Sequence, residues 1–367
     1  MINKCIKSSR LISFRLKFTL VILAIVGFMS EANEHVFTTE SQLASRYEKE
    51  IADFWPHGNF GYFSGAKNVR VNYATFSHEA SPKKCLVIVP GRTESYLKYK
   101  ELTFDFFNAG FNVFLIDHRG QGLSQRVLAN SNKGYVEDFQ YYVDDLALFI
   151  ENIVSKHCEQ KPYILAHSMG AAITVRYLQA HPSTIQSAVL SSPMLGFDGG
   201  GVPKFIAESL IKTTAQLNQW IDDKPWYFFG HKDFSQNTFE KNTLMHSAIR
   251  YQQFTKLYQA NKGIQLGGVT IQWLTESIAA LETIFANIDK IITPILVLQS
   301  GDDKVVKNES QDEFCQQLHA LQPQSCPNGK PLVIKGAYHE LFFESDIYRQ
   351  QALSAVLDWF NKHHVNK

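Results

Sequence analysis

The chain is constrained most by a rhythm. Short runs of β-branched and aromatic residues, bounded by turn residues, alternate with longer stretches whose apolar positions recur at helical spacing. "CLVIVP" (Cys85 to Pro90) and "FNVFLID" (Phe111 to Asp117) are almost continuously apolar, as strands buried on both faces are. "PYILAH", "SAVLSS", "PILVLQS" (Pro294 to Ser300) and "PLVIKG" (Pro331 to Gly336) continue the series. Between the first two, "YLKYKELTFDFFNAG" reads as a helix that stops at Gly110, and the spacing predicts further helices over 141–156, 169–180, 311–321 and 347–363. This alternation predicts an α/β fold, a mostly parallel sheet with helices on both faces and right-handed crossovers. "VRVNYATF" alternates apolar and polar residues, the pattern of a half-buried edge strand, and the mixed, aromatic 33–65 reads as an arm packed on the domain.

One segment breaks the rhythm. From Pro193 to about Ile292 there are few buried-strand signals, and amphipathic stretches such as "KFIAESLIKTTAQLNQWI" and "HSAIRYQQFTKLYQA" take their place. The organisation expected is a core in two parts, 33–192 and 293–367, interrupted by a helical cap over 193–292. A cap would sit over the C-terminal edge of the sheet, where open α/β sheets bind ligands. A plain second domain is the alternative. "DGGGVP" (Asp198 to Pro203) does not join a strand to a helix as a phosphate loop would, and reads as a hinge or turn.

"YILAHSMGAAI" (Tyr163 to Ile173) nearly spells G-x-S-x-G, with Ala166 in the place of the first glycine. A serine hydroxyl is a poor nucleophile unless it is presented well and has a base beside it. A tight turn from strand to helix presents it, and the flanking residues must be small because strand and helix nearly touch. Ala166, Gly170, Ala171 and Ala172 meet that demand, so Ser168 is the candidate nucleophile. The extra methyl of Ala166 is tolerable provided its backbone needs no positive φ. The N–H groups opening the helix at Met169 would face a developing anion.

The partners of such a serine follow in the order acid, then histidine. "LQSGDDKVV" ends one strand with Asp302 and Asp303, and "VIKGAYHELFF" places His339 just after the last strand. His339 would take the proton of Ser168, while a carboxylate fixes its tautomer. Two backbone donors must then face the oxyanion. Met169 supplies one, and Arg92, following Gly91 in the loop after "CLVIVP", supplies the other. The Arg92 side chain reads either as a surface charge or as a contact for a phosphate-bearing substrate.

The ordered set "PGRTESYLKY", "DHRGQGLS", "AHSMG", "GGVTIQWLTES", "GDDKVV" and "GAYHE" resembles the monoacylglycerol-lipase-like α/β-hydrolases, from about Glu48 to the C-terminus. Within them it is most similar to the branch of bacterial inner-membrane lysophospholipases. The resemblance implies an α/β-hydrolase fold with Ser168, Asp303 (rather than Asp302) and His339 as the triad, and with Arg92 and Met169 as oxyanion donors. It implies cleavage of the fatty acyl ester of a lysophospholipid through an acyl-enzyme, with no cofactor and no metal. "DHRGQGLS" reads as structural, supporting the floor of the site. The alternatives are a monoacylglycerol lipase or short-chain carboxylesterase on the same triad and, more distantly, a non-catalytic hydrolase fold used for binding.

A formal net charge of +1 points to no nucleic-acid partner, and 45% hydrophobic residues exclude a disordered chain. Lys4, Lys7, Arg10, Arg15 and Lys17 precede the apolar run "FTLVILAIVGFM" and the small-residue stretch "SEA". Residues 1–32 therefore read as a secretory signal peptide or an N-terminal membrane anchor, and the catalytic part as periplasmic, inner-membrane-associated or secreted. Export leaves Cys85, Cys158, Cys315 and Cys326 in an oxidising compartment. Cys315–Cys326 is the preferred pair, which would leave Cys85 and Cys158 for each other.

Overall fold

The computed structural model describes residues 37–79, 84–197, 204–222 and 224–364, with 204–208 and 219 described by backbone alone. The leader over 1–32 and the hinge reading of "DGGGVP" lie outside these residues. Every apolar run forms a strand. β3 (Lys84–Val89), β4 (Phe111–Ile116), β5 (Tyr163–His167), β6 (Ala188–Ser191), β7 (Ile295–Ser300) and β8 (Leu332–Ile334) are mutually parallel, in the order β4-β3-β5-β6-β7-β8. β2 (Arg70–Phe76) pairs antiparallel with β4, and β1 (Asn59–Ser64) antiparallel with β2, which completes an eight-stranded sheet.

The pleat sorts the strand residues between two cores. Cys85, Val87 and Val89 face one side with Ile164 and Ala166, while Leu86 and Ile88 face the other with Val113 and Leu165. Helices α4 (Gln140–Asn152), α5 (Met169–Ala180) and α9 (Asn308–Leu321) cover the first face. Helices α3 (Lys100–Asn108) and α10 (Asp346–Lys362) cover the second. Both faces are thus dry, which is why the parallel strands carry almost no polar alternation.

"VRVNYATF" is not the edge of the sheet: β1 lies outside it, so the arm expected over 33–65 contains a strand of its own. Phe60 and Tyr62 of β1 stay exposed, and a strand without a buried face leaves no hydrophobic pattern to read. Before β1, helices α1 (Glu40–Glu48) and α2 (Glu50–Phe54) bury Leu43 and Ile51. Thr38 anchors this arm. Its N–H and hydroxyl donate to Asp105 Oδ1 at 3.0 and 2.6 Å, and its carbonyl accepts from Arg250 Nη2 at 3.1 Å and Arg349 Nη1 at 3.0 Å.

Between β6 and β7 come α6 (Lys204–Ile221), α7 (Ala248–Ala260) and α8 (Ile271–Ala286). The chain between α6 and α7 is mostly irregular. Trp273, Ile278 and Leu281 of α8 join the same core as α5, so this segment is built into the unit Phe37–Lys367. Both cysteine pairs are joined: Cys315–Cys326 as preferred, with Cα atoms 5.3 Å apart, and Cys85–Cys158, with Cα atoms 6.1 Å apart. Among the described residues no helix is long and apolar enough to cross a membrane.

Candidate active site

Ser168 stands at the C-terminal end of β5, where the chain turns directly into α5. Its backbone is at φ 52°, ψ −116°, a conformation that costs of order 1–3 kcal/mol and must be imposed by its surroundings. Two bonds to the neighbouring segment impose it: Ser168 N–H donates to Ser191 O at 3.0 Å, and Met194 N–H donates to Ser168 O at 3.0 Å. At Gly170 a Cβ would lie 2.3 Å from Pro90 O and 2.4 Å from Val89 O, so the first turn of α5 rests on the end of β3. Ala166 is an ordinary strand residue, paired with Val89 and Leu190 and not among the described residues with positive φ. Its methyl is buried in the core and costs the turn nothing.

His339 lies beyond β8 with Nε2 3.0 Å from Ser168 Oγ and Nδ1 2.7 Å from Asp303 Oδ2. The other oxygen of Asp303 accepts the N–H groups of Val305 at 2.7 Å and Val306 at 3.1 Å. Burial alone would raise the Asp303 pKa, but the hydrogen bond and charge of His339 and these two N–H groups hold it below the ordinary carboxylate value. Asp302 is exposed. Ser168 and His339 are 8% and 4% exposed, so the pair is largely shielded from water. The structure therefore brings together the serine, histidine and acid that the strand ends suggested.

The two residues expected to supply oxyanion donors lie beside Ser168, Met169 directly after it and Arg92 directly after Gly91. Met169 is the first residue of α5, where N–H groups lack helical acceptors. Gly91 lies so close to the nucleophile that a Cβ there would be 3.2 Å from Ser168 Cβ, which brings Arg92 alongside. Thr93 follows at φ 64°, uncommon for a β-branched residue, and Tyr258 of α7 holds its carbonyl with a 2.6 Å hydrogen bond. The Arg92 side chain is not a free surface charge. Its Nη1 donates to Gly267 O at 2.9 Å, and its guanidinium carbon lies 5.7 Å from the centroid of Trp273.

"DHRGQGLS" does form the floor. The carboxylate of Asp117 accepts the Ser95 hydroxyl at 2.9 Å and the N–H groups of Tyr96 and Leu123 at 2.5 and 2.6 Å. Burial pushes its pKa up to about 7 against those donors. Gln121 Nε2 donates to Gly91 O at 2.7 Å, and His118 Nε2 donates to Pro90 O at 3.0 Å. Burial keeps His118 neutral, with its pKa down at about 4.

Sequence reasoning missed a buried ionic cluster behind the triad. Glu94 Oε2 accepts the N–H of Gly91 and the hydroxyl of Tyr99, both at 2.5 Å, and lies 3.2 Å from Nδ1 of His167, the residue before the nucleophile. Lys98 Nζ bridges Glu94 Oε1 at 2.8 Å and Glu340 Oε1 at 2.7 Å, and Glu340 is the residue after His339. Burial favours the neutral forms, yet the opposite charges prevail: Glu94 is held well below the usual carboxylate range, and Lys98 and His167 are held above their ordinary values. One signal was available, a Glu and a Lys four residues apart, at the spacing of one helical turn. Among the described residues no three His, Cys, Asp or Glu side chains come together in a way that could hold a metal ion.

The family described as serine aminopeptidase, S33, matches residues 80–346, which span every part of this site. The chain belongs to this hydrolase family. It is an enzyme, an ester hydrolase of the α/β-hydrolase fold. Lysophospholipase L2 of Escherichia coli is 39% identical over 89% of this chain and 94% of its own length. The probable lysophospholipase L2 of Haemophilus influenzae is 34% identical over 85% of this chain and 95% of its own. Among solved structures, the fold resembles a soluble variant of monoglyceride lipase from Saccharomyces cerevisiae (TM-score 0.61, 15% identity, 84% of this chain and 97% of that one). It also resembles a thermostable carboxyl esterase from Bacillus coagulans (TM-score 0.62, 16% identity, 84% and 99%).

Proposed function

We propose that this hydrolase cleaves the fatty acyl ester of lysophospholipids, with Ser168 as nucleophile, His339 as general base and acid, and Asp303 as the group that orients His339. The observation that carries the chemistry is the hydrogen-bonded chain from Ser168 Oγ through His339 to Asp303, at 3.0 and 2.7 Å. Ser168 Oγ attacks the ester carbonyl as its proton passes to His339 Nε2. The N–H groups of Arg92 and Met169 receive the oxyanion. Collapse breaks the acyl C–O bond, and the glycerol oxygen leaves with the proton from His339. Water then attacks the acyl-enzyme, its proton passing through His339 back to Ser168 as the fatty acid departs.

The lysophospholipid substrate rests on the two lysophospholipase relatives, which match over nearly their full lengths. The segment 193–292 acts as a cap, in contact with the oxyanion loop through Tyr258 and Gly267. Leu210, Leu217, Trp220 and Ile221 of α6, with nearby Phe229, expose apolar surface suited to a membrane that holds such lipids. Two disulfides support an oxidising compartment, hence export by the leader.

A panel of lysophosphatidylethanolamine, lysophosphatidylglycerol and monoacylglycerol of matched chain length tests the reading. The wild type should release fatty acid from the lysophospholipids, and Ser168→Ala should abolish both release and labelling by a fluorophosphonate. Turnover of monoacylglycerol alone would replace the substrate reading, and full activity of Ser168→Ala would refute the nucleophile.

A further inference from the structure

The chemistry above uses only the N–H of Arg92 and leaves its side chain unexplained. The three arginines that are fully buried among the described residues each meet a carboxylate: Arg119 with Asp145, Arg250 with Glu101, and Arg349 with Asp105. Arg126, partly buried, donates instead to the carbonyls of Ser131, Gly122, Ser124 and Gly263. Arg92 has neither arrangement. Among the described residues it makes one hydrogen bond, from Nη1 to Gly267 O, and no ion pair. The groups within electrostatic reach are the phenol of Tyr142 and the imidazole of His231, with the indole of Trp273 behind the guanidinium. Burial draws the pKa of Arg92 down to about 10, and Tyr142 offsets this only in part.

A guanidinium carries five N–H donors in a planar fork. One is used here, in a half-buried niche without a carboxylate, where a charge left uncompensated is costly. The arginine nevertheless keeps part of its surface accessible. It is also one residue from Gly91, which packs against Ser168. In a lysophospholipid the phosphorus is five or six bonds from the ester carbon, about 7 Å in an extended chain of roughly 1.5 Å bonds. An arginine guanidinium stands a similar distance, about 6 Å, from its own backbone by the same arithmetic. A carbonyl held at the Arg92 N–H thus leaves its phosphate within reach of the Arg92 fork.

We propose that the Arg92 guanidinium is the head-group clamp of the site, binding the phosphodiester anion with its free donors while Nη1 stays on Gly267 O and Trp273 backs the plane. This specificity role rests on the lysophospholipid reading given above. It makes Arg92 a binding residue through its side chain and an oxyanion donor through its backbone, and only the first is sensitive to substitution.

The measurement is the ratio of kcat/KM for lysophosphatidylglycerol to kcat/KM for monoacylglycerol of the same chain, in wild type, R92Q and R92K. A charge-assisted hydrogen bond to phosphate predicts that the ratio falls by about 10- to 100-fold in R92Q, whatever loss both substrates share. R92K keeps the charge without the fork and should fall in between. If R92Q does not fold, the drop in R92K carries the comparison. A second arm uses sn-glycerol 3-phosphate against hydrolysis of p-nitrophenyl butyrate. Wild type should be inhibited competitively, and the variants at least 10-fold less. An unchanged ratio with both substrates falling in parallel would reduce Arg92 to a strut between core and cap and overturn the clamp. A wild type that ignores lysophospholipids but is inhibited by glycerol phosphate through Arg92 would overturn the substrate reading and keep the anion site. Absence of inhibition would overturn the anion site itself.

Discussion

Replacing Lys98 with methionine tests whether the buried cluster organises the site. The ammonium is 3% exposed and lies 2.8 and 2.7 Å from two carboxylates that are 4% and 6% exposed, with the rings of Phe343 and Phe254 at 4.4 and 4.9 Å. Methionine matches the stem in length, so little cavity forms and the effect is electrostatic. Leaving Glu94 and Glu340 together without their cation should cost about 3–5 kcal/mol, the usual penalty for breaking a buried pair. An unfolding entropy of about 2.1 cal/mol/K per residue over Phe37–Lys367 converts this to a fall in Tm of roughly 4–7 °C.

The sign of the pH dependence follows. Without Lys98 the folded-state pKa of one carboxyl rises above its unfolded value of about 4.3. The variant's deficit is then absent at pH below that value and grows as pH rises through the raised pKa. The other titratable groups facing the pair include His167, Tyr99, Tyr258 and His118. Tyr99 stays protonated because burial and Glu94 raise its pKa, and against its burial Glu94 holds the pKa of His167 above its ordinary value. Thermal melts at pH 5 and pH 8 should therefore show a larger gap from wild type at pH 8. Because the cluster holds Gly91 on one side and the His339 loop on the other, kcat should fall by about 10- to 100-fold with a smaller change in KM. A variant that melts with wild type at both pH values and keeps its kcat would refute the account.

Asp303→Asn should leave the melting temperature nearly intact and lower kcat by about 10⁴-fold, because the amide no longer fixes the imidazole tautomer. Gly170→Ala drives a methyl into the carbonyls of Pro90 and Val89, and should cost at least about 1–3 kcal/mol in a denaturant titration and most of the activity. Cys85→Ser with Cys158→Ser opens a loop of 73 residues and should cost about 2–4 kcal/mol in a denaturant titration, and dithiothreitol, which also reduces Cys315–Cys326, should shift the wild type further than it shifts the variant.

The parallel strands were legible because burial on both faces writes itself into the chain as β-branched runs, and the helices because Gly110 and their apolar spacing mark their ends. The meeting of Ser168, Asp303 and His339 was legible because each follows a strand, β5, β7 and β8 in turn, and the turn around Ser168 demands small residues. β1 was not, since no residue of "NFGYFS" is fully buried. The cluster of Glu94, Lys98, His167 and Glu340 was equally hidden, because residues up to 246 positions apart meet only once the sheet is assembled. The niche around Arg92 was half legible: its type pointed to anions, while the carbonyl of Gly267 and the ring of Trp273 come from the insertion.

The arm at Thr38 sets an order of events. The segment emerges from the ribosome or a translocation channel long before its partners, for Arg250 lies 212 residues later and Arg349 lies 311 residues later. Only Arg46 and Asp105 are available early, and Asp105 is itself paired to Arg349. The N-terminal edge of the enzyme can therefore latch only when nearly the whole polypeptide has arrived, and contacts this distant in sequence close slowly. Arrested chains ending before residue 345 should show 37–54 cut by protease, and full-length chains should protect it.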